Sequence, residues 1–124
     1  MPRRGTRVAI VDDDSYVCRA LTRLLRASGF TVDGYVSVSE FLDAVGRLPP
    51  QCLVVDFKMP EMTGLELYGR LARDGVRIPT ILITAHGDES LFEQARVAGI
   101  RACLEKPLHE ASILAAVEAA TGQP

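Results

Sequence analysis

Six side chains in this sequence have the types and placement for chemistry: Asp12, Asp13 and Asp14 in one run, then Asp56, Thr84 and Lys106. Asp56 closes the apolar run Cys52-Leu53-Val54-Val55. The triple Asp follows Val8-Ala9-Ile10-Val11, Thr84 ends Ile81-Leu82-Ile83, and Lys106 follows Ala102-Cys103-Leu104 and one glutamate. Two carboxylates about 4 Å apart repel by roughly 4 kcal/mol at an effective dielectric near 20. A group of them must therefore spread apart, take up protons or gather round a cation. Oxygen donors without His or Cys suit Mg²⁺ or Mn²⁺, and Mg²⁺ recruits phosphate oxygens while keeping some waters. A carboxylate nucleophile, a divalent cation, an amine and a hydroxyl together suit phosphoryl transfer to an aspartate. Taken singly, each residue has a plainer role. Asp at a strand-to-helix junction caps helices and meets their dipoles, Thr84 reads as a turn residue, and Lys106 as a solvated amine. Only their conjunction at four strand ends carries the functional reading.

The elements that must bring them together follow from periodicity. Residues 7–11, 52–56 and 80–84 are short apolar runs of the kind buried on both faces of a parallel sheet. Residues 30–36 alternate, as an edge strand does, and residues 100–104 form a fifth strand. A helix with Val17, Ala20, Leu21, Leu24 and Leu25 on one face and Arg19, Arg23 and Arg26 on the other spans about 15–28, with Asp14 or Ser15 as its cap. Ser37-Val38-Ser39-Glu40 and Thr63-Gly64-Leu65-Glu66 have the capping-box form and start helices two and three. Asp88 caps helix four, which Gly99 ends, and a fifth helix after Lys106-Pro107 carries Leu108, Ile113, Leu114 and Val117. Strand and helix thus alternate five times, which predicts an α/β fold: a flavodoxin-like doubly wound parallel sheet in the order 2-1-3-4-5. Ligands of such sheets bind at the carboxyl ends of the strands. There Asp12 or Asp13 would meet Asp56, Thr84 and Lys106.

Composition sets the frame. The 124 residues, 48% hydrophobic and 24% charged, fit a single domain over 1–124 with an ordinary core. A net charge of −2 gives no electrostatic basis for nucleic-acid binding. The basic start Arg3, Arg4, Arg7 precedes an apolar run too short for a signal peptide, and nothing has the length of a membrane span. Cys18, Cys52 and Cys103 are well separated, with no C-x-x-C pair, and read as reduced core residues of a cytoplasmic protein. Residues 121–124 read as the stub of a linker.

The chain resembles the receiver domain of bacterial two-component response regulators. The matching stretches are Ile10-Val11-Asp12-Asp13-Asp14, Val55-Asp56-Phe57-Lys58-Met59-Pro60 with Thr63-Gly64, Ile83-Thr84-Ala85-His86-Gly87-Asp88, and Glu105-Lys106-Pro107. The Thr84-to-Asp88 loop is most similar to FixJ-type receivers. The resemblance implies that Asp56 accepts a phosphoryl group from a sensor histidine kinase. Asp12, Asp13, Asp56 and the backbone carbonyl of Lys58 would hold Mg²⁺, and Thr84 and Lys106 would bind the phosphoryl oxygens. It further implies a cis Lys106-Pro107 bond, a switching face of helix four, strand five and helix five, and a homodimer through that face. No direct contact with nucleic acid or membrane is implied for this domain, and any DNA-binding output would lie beyond it.

Cys103 departs from the family, which places Tyr or Phe there as a ring that follows the threonine inward. Thr84 and its loop are therefore expected to shift helix four without that ring. Lys58 and His86 flank the route of the attacking water, and a lysine orients water poorly, so a long-lived phosphoaspartate is expected. Three rival readings are weaker. A haloacid-dehalogenase-type phosphatase needs a second Asp where Lys58 stands, so no enzymatic turnover is expected. A flavodoxin-like nucleotide binder would present amides and hydroxyls, not three aspartates, after strand one. A degenerate receiver, acting as a phosphorylation-independent interaction module, would not need the intact acidic set.

Overall fold

The computed structural model describes residues 5–122, so Arg3, Arg4 and the last two residues of the supposed linker stub lie outside the described residues. Five strands, β1 (Arg7–Val11), β2 (Thr31–Tyr35), β3 (Cys52–Asp56), β4 (Thr80–Thr84) and β5 (Ala102–Glu105), alternate with five helices. The helices are α1 (Ser15–Ala27), α2 (Val38–Val45), α3 (Gly64–Arg73), α4 (Glu89–Ala98) and α5 (Glu110–Ala120). All pairings are parallel, in the order β2-β1-β3-β4-β5. This is the architecture expected from the alternation of apolar runs and amphipathic segments.

The strand period of two sorts the core into two layers. Val8, Ile10, Cys52, Val54, Ile81 and Ile83 face α1 and α5. Ala9, Val11, Leu53, Val55 and Leu82 face the opposite layer with Phe41, Leu67 and Leu91 of α2, α3 and α4. Every residue of β3 and β4 is buried, which is why their sequences are unbroken rather than alternating.

Three local expectations shift. Strand five starts at Ala102, not residue 100. The Ile100 amide instead donates to Ala95 O at 2.9 Å to close α4, and its side chain is buried. Leu108 lies ahead of α5, because His109 is extended (φ −95°, ψ 132°) and the helix begins after it; Leu108 still packs on the core. Helix two receives only half of the expected capping box. Ser37 accepts from Glu40 N, but the carboxylate serving Val38 N and Ser39 N belongs to Glu61. The box at Thr63 and Glu66 is complete. Cys18 and Cys52 are buried core residues, whereas Cys103 is only half-buried, on a strand that is partly exposed along its length.

Gly64 shows how tightly α3 is seated on the sheet. A Cβ there would lie 2.6 Å from Leu82 Cδ1 and 2.7 Å from the backbone oxygen of Asp56. Backbone cannot yield as a side chain can. Gly64→Ala is therefore expected to destabilise the protein by about 1–3 kcal/mol, as overpacking does. A lowered urea midpoint at unchanged m-value is the measurement that checks it.

Candidate functional site

The parallel register places the chemistry at one edge. Val11 pairs with Val55, so Asp12, one step on, neighbours Asp56 at the end of β3. Asp56 pairs with Ile83, which sets Thr84 one step beyond it, and Thr84 pairs with Glu105, the residue before Lys106. One carboxylate oxygen from each of Asp12, Asp13 and Asp56 falls within 4.8 Å of the others. Lys106 Nζ stands 3.3 Å from Asp56 Oδ1 and 3.5 Å from Asp12 Oδ2. Asp12, Asp56 and Thr84 are buried, and Asp13 is exposed at the mouth.

The triple Asp divides its labour. Asp14 is the cap of α1, its Oδ1 accepting from Tyr16 N at 2.9 Å and Val17 N at 3.3 Å. Asp12 is held by its own amide donating to Tyr35 O at 3.0 Å, and its Oδ1 accepts from Asp14 N at 2.9 Å. Its other oxygen, Oδ2, is buried with no hydrogen-bond partner among the described residues; the lysine offers an ion-pair distance, not a bond. Such an orphaned carboxylate oxygen is costly to bury.

Electrostatics express the same conflict. Burial pushes Asp12 above its ordinary pKa, and the hydrogen bond from Asp14 and the charge of Lys106 only partly oppose it. Burial likewise raises Asp56, with the charge of Asp12 adding to it. Burial alone would lower Lys106, but the charges of Asp12 and Asp56 outweigh it and hold the amine above its usual value. The site thus carries more acid than one ammonium neutralises. An all-oxygen set with a buried oxygen that lacks a hydrogen bond fits a hard divalent cation of the Mg²⁺ kind. Asp12, Asp13 and Asp56 would hold it, and it would supply positive charge at a phosphoryl oxygen.

Among the remaining expected residues, Lys58 is exposed on the loop after β3, and His86 is exposed after β4. Thr84 Oγ1 accepts from His86 N at 3.2 Å, and Gly87 N donates to Glu105 Oε2 at 3.3 Å. The Lys106-Pro107 bond is cis. Sequence reasoning missed Glu61, Glu105 and Phe92. A Cβ on Gly87 would lie 2.4 Å from Phe92 Cζ and 3.3 Å from Thr84 Cγ2, so this loop is packed between Thr84 and the α4 ring. The Gly in the loop was a weak signal of that approach; nothing local pointed to Glu61.

Comparison with known proteins agrees with this fold. Residues 8–118 match the response regulator receiver domain family. The chain belongs to that family. It is 41% identical over 113 residues to the response regulator protein TmoT of Ectopseudomonas mendocina, covering 91% of this chain and 51% of that protein. It is 40% identical over 116 residues to the transcriptional regulatory protein FixJ of Azorhizobium caulinodans, covering 94% and 55%. Among solved structures, FixJ-N superposes with a TM-score of 0.87 at 35% identity, covering 98% of this chain and 97% of that one. A response regulator receiver protein from Burkholderia phymatum gives 0.83 at 42% identity, covering 95% and 96%. The chain spans about half the length of the curated relatives it matches. Among the described residues, no helix is long and apolar enough to cross a membrane.

Proposed function

We propose that the domain is a phosphoryl-accepting relay in which Asp56 is the nucleophile. A carboxylate oxygen of Asp56 would attack the phosphorus of a sensor kinase's phosphohistidine. The P–N bond breaks, and the imidazole leaves with the electron pair. The observation that carries this reading is the convergence of Asp12, Asp13 and Asp56 within 4.8 Å with Lys106 Nζ 3.3 Å from the acceptor. Mg²⁺, or Mn²⁺, would be held by these carboxylates and the Lys58 backbone carbonyl. Lys106 and Thr84 would take the phosphoryl oxygens, the first through its charge and the second through its hydroxyl. The domain acts as a signalling module with no separate substrate to turn over. Its setting is the cytoplasm, its output face α4, β5 and α5, and its active form a homodimer through that face. It makes no contact of its own with nucleic acid. Mass spectrometry after treatment with acetyl phosphate and Mg²⁺ tests the reading. A phosphoryl adduct on Asp56 is expected, and an unmodified Asp56 would favour an interaction module instead.

Transmission would run through packing rather than through a ring on β5. Thr84 bonds the His86 amide, and Gly87 sits between Thr84 and Phe92. Phe92 and Cys103 border one cavity of about 260 Å³ between α4 and β5. Drawing Thr84 toward a phosphoryl oxygen would pull this loop and displace α4. Amide NMR with and without a beryllofluoride phosphoryl mimic is expected to move resonances along residues 85–98. Silence there would defeat this route. Lys58, which cannot orient water as a carboxylate does, supports slow loss of the phosphoryl group.

A further inference from the structure

We infer that Glu61 is a positioning residue for the acceptor site, locking the loop between β3 and α3 onto the N-terminus of α2. The inference rests on the proposed metal-dependent reading of Asp12, Asp13 and Asp56. The Glu61 carboxylate accepts from Val38 N at 3.0 Å, from Ser39 N at 3.3 Å and from Ser39 Oγ at 2.7 Å. The Ser39 hydroxyl, with the Val38 amide behind it, holds this carboxyl below its usual range. Three donors on one carboxylate, two of them orphan amides of a helix start, fix a direction as well as a distance.

What lies between the anchors explains the role. The loop leaves β3 with Phe57 N donating to Ile83 O at 2.7 Å, and it enters α3 with Gly64 N donating to Phe57 O at 2.8 Å. Both bonds pin the loop at its base. Its outer part, from Lys58 to Met62, is gripped by the buried Met59 on one side and by Glu61 on the other. Lys58 stands between Asp56 and that outer grip, so the direction of its backbone carbonyl depends on it. Freed of Glu61, the outer loop gains backbone freedom, and the metal would have to order it on binding. The same clamp makes α2 a listener, because a change at the acceptor loop reaches Val38 and Ser39 through one side chain.

The bland alternative is that Glu61 merely caps α2, so the test separates the two. Mg²⁺ affinity of the whole domain is measured by calorimetry for wild type, Glu61→Ala, Glu61→Gln and Ser37→Ala. Ser37→Ala removes the helix's own cap, whose oxygen accepts from Glu40 N, and leaves the clamp in place. Glu61→Ala is expected to weaken Mg²⁺ binding about three- to tenfold, at or below the low end of effects seen for groups that orient metal ligands. Glu61→Gln, keeping one acceptor oxygen, is expected to fall between it and wild type, and Ser37→Ala to bind as wild type does. On Mg²⁺ addition the Val38 and Ser39 amide resonances should shift in wild type and stay still in Glu61→Ala. Wild-type affinity in Glu61→Ala, or an equal loss in Ser37→Ala, would overturn the inference alone. A wild-type domain that takes up no Mg²⁺ would sink the site reading and the inference with it.

Discussion

Asp56→Asn is expected to abolish phosphoryl uptake while leaving the fold intact. The substitution keeps the shape of a side chain at the end of a wholly buried strand, so no cavity opens in β3. What it removes is the nucleophile: an amide oxygen carries neither the charge nor the lone-pair basicity to displace the leaving group. It also removes a buried carboxylate whose pKa is raised by burial and by the charge of Asp12. Thermal stability without metal should therefore hold or rise. Mass spectrometry after acetyl phosphate and Mg²⁺ gives the readout, with circular dichroism melting as the control for folding. Full labelling of the variant would mean that another residue accepts the group. Loss of both label and fold would mean that the carboxylate is structural.

Much of this was legible in the sequence for physical reasons. Apolar runs such as Cys52-Leu53-Val54-Val55 are unbroken because both sheet faces are covered, and the covering helices announce themselves by their own period. Once five parallel strands are granted, the residues that end them must share an edge, so Asp12, Asp56, Thr84 and Lys106 needed no coordinates to be grouped. The division among the three aspartates was readable only in part, with Asp14 named beside Ser15 as a cap of α1. Adjacent carboxylates look alike in a sequence, and only the turn into α1 decides that Asp14 caps while Asp12 is buried. Glu61 escaped for a different reason. Its partners lie 22 and 23 positions away, on an element whose own sequence already held an acid, Glu40, at the expected spacing. Local pattern names a capping box; tertiary approach decides which acid meets the amides of the first turn. The same holds for Phe92, whose helical spacing says nothing of the glycine beneath its ring.

Asp12→Asn should reverse its effect on stability with metal. The sign follows from the direction of the pKa shift. A carboxyl whose folded pKa lies above its ordinary 3.8 binds its proton more tightly in the folded chain. The stability linked to that group is fully present below 3.8 and is lost as pH rises through the folded value. Metal-free wild type is thus penalised at neutral pH by its own buried acid. Asp12→Asn removes that charge and leaves an amide that can donate toward Asp56. In a chelator at pH 7 the variant should be more stable by about 1–2 kcal/mol, the order of an unsatisfied buried polar group. The gap should narrow as the pH is lowered and wild-type Asp12 takes up its proton. With Mg²⁺ the ranking inverts. A cation that binds only the folded state stabilises by about 2.7 kcal/mol at a hundred times its dissociation constant, and the variant, short of one ligand, forgoes most of it. Melting both proteins across pH, with chelator and with Mg²⁺, checks all three signs. A variant less stable than wild type in chelator would show that Asp12 is held by partners strong enough to make its charge welcome. The acidic cluster would then be an ion-paired structural feature centred on Lys106 rather than a vessel for a cation.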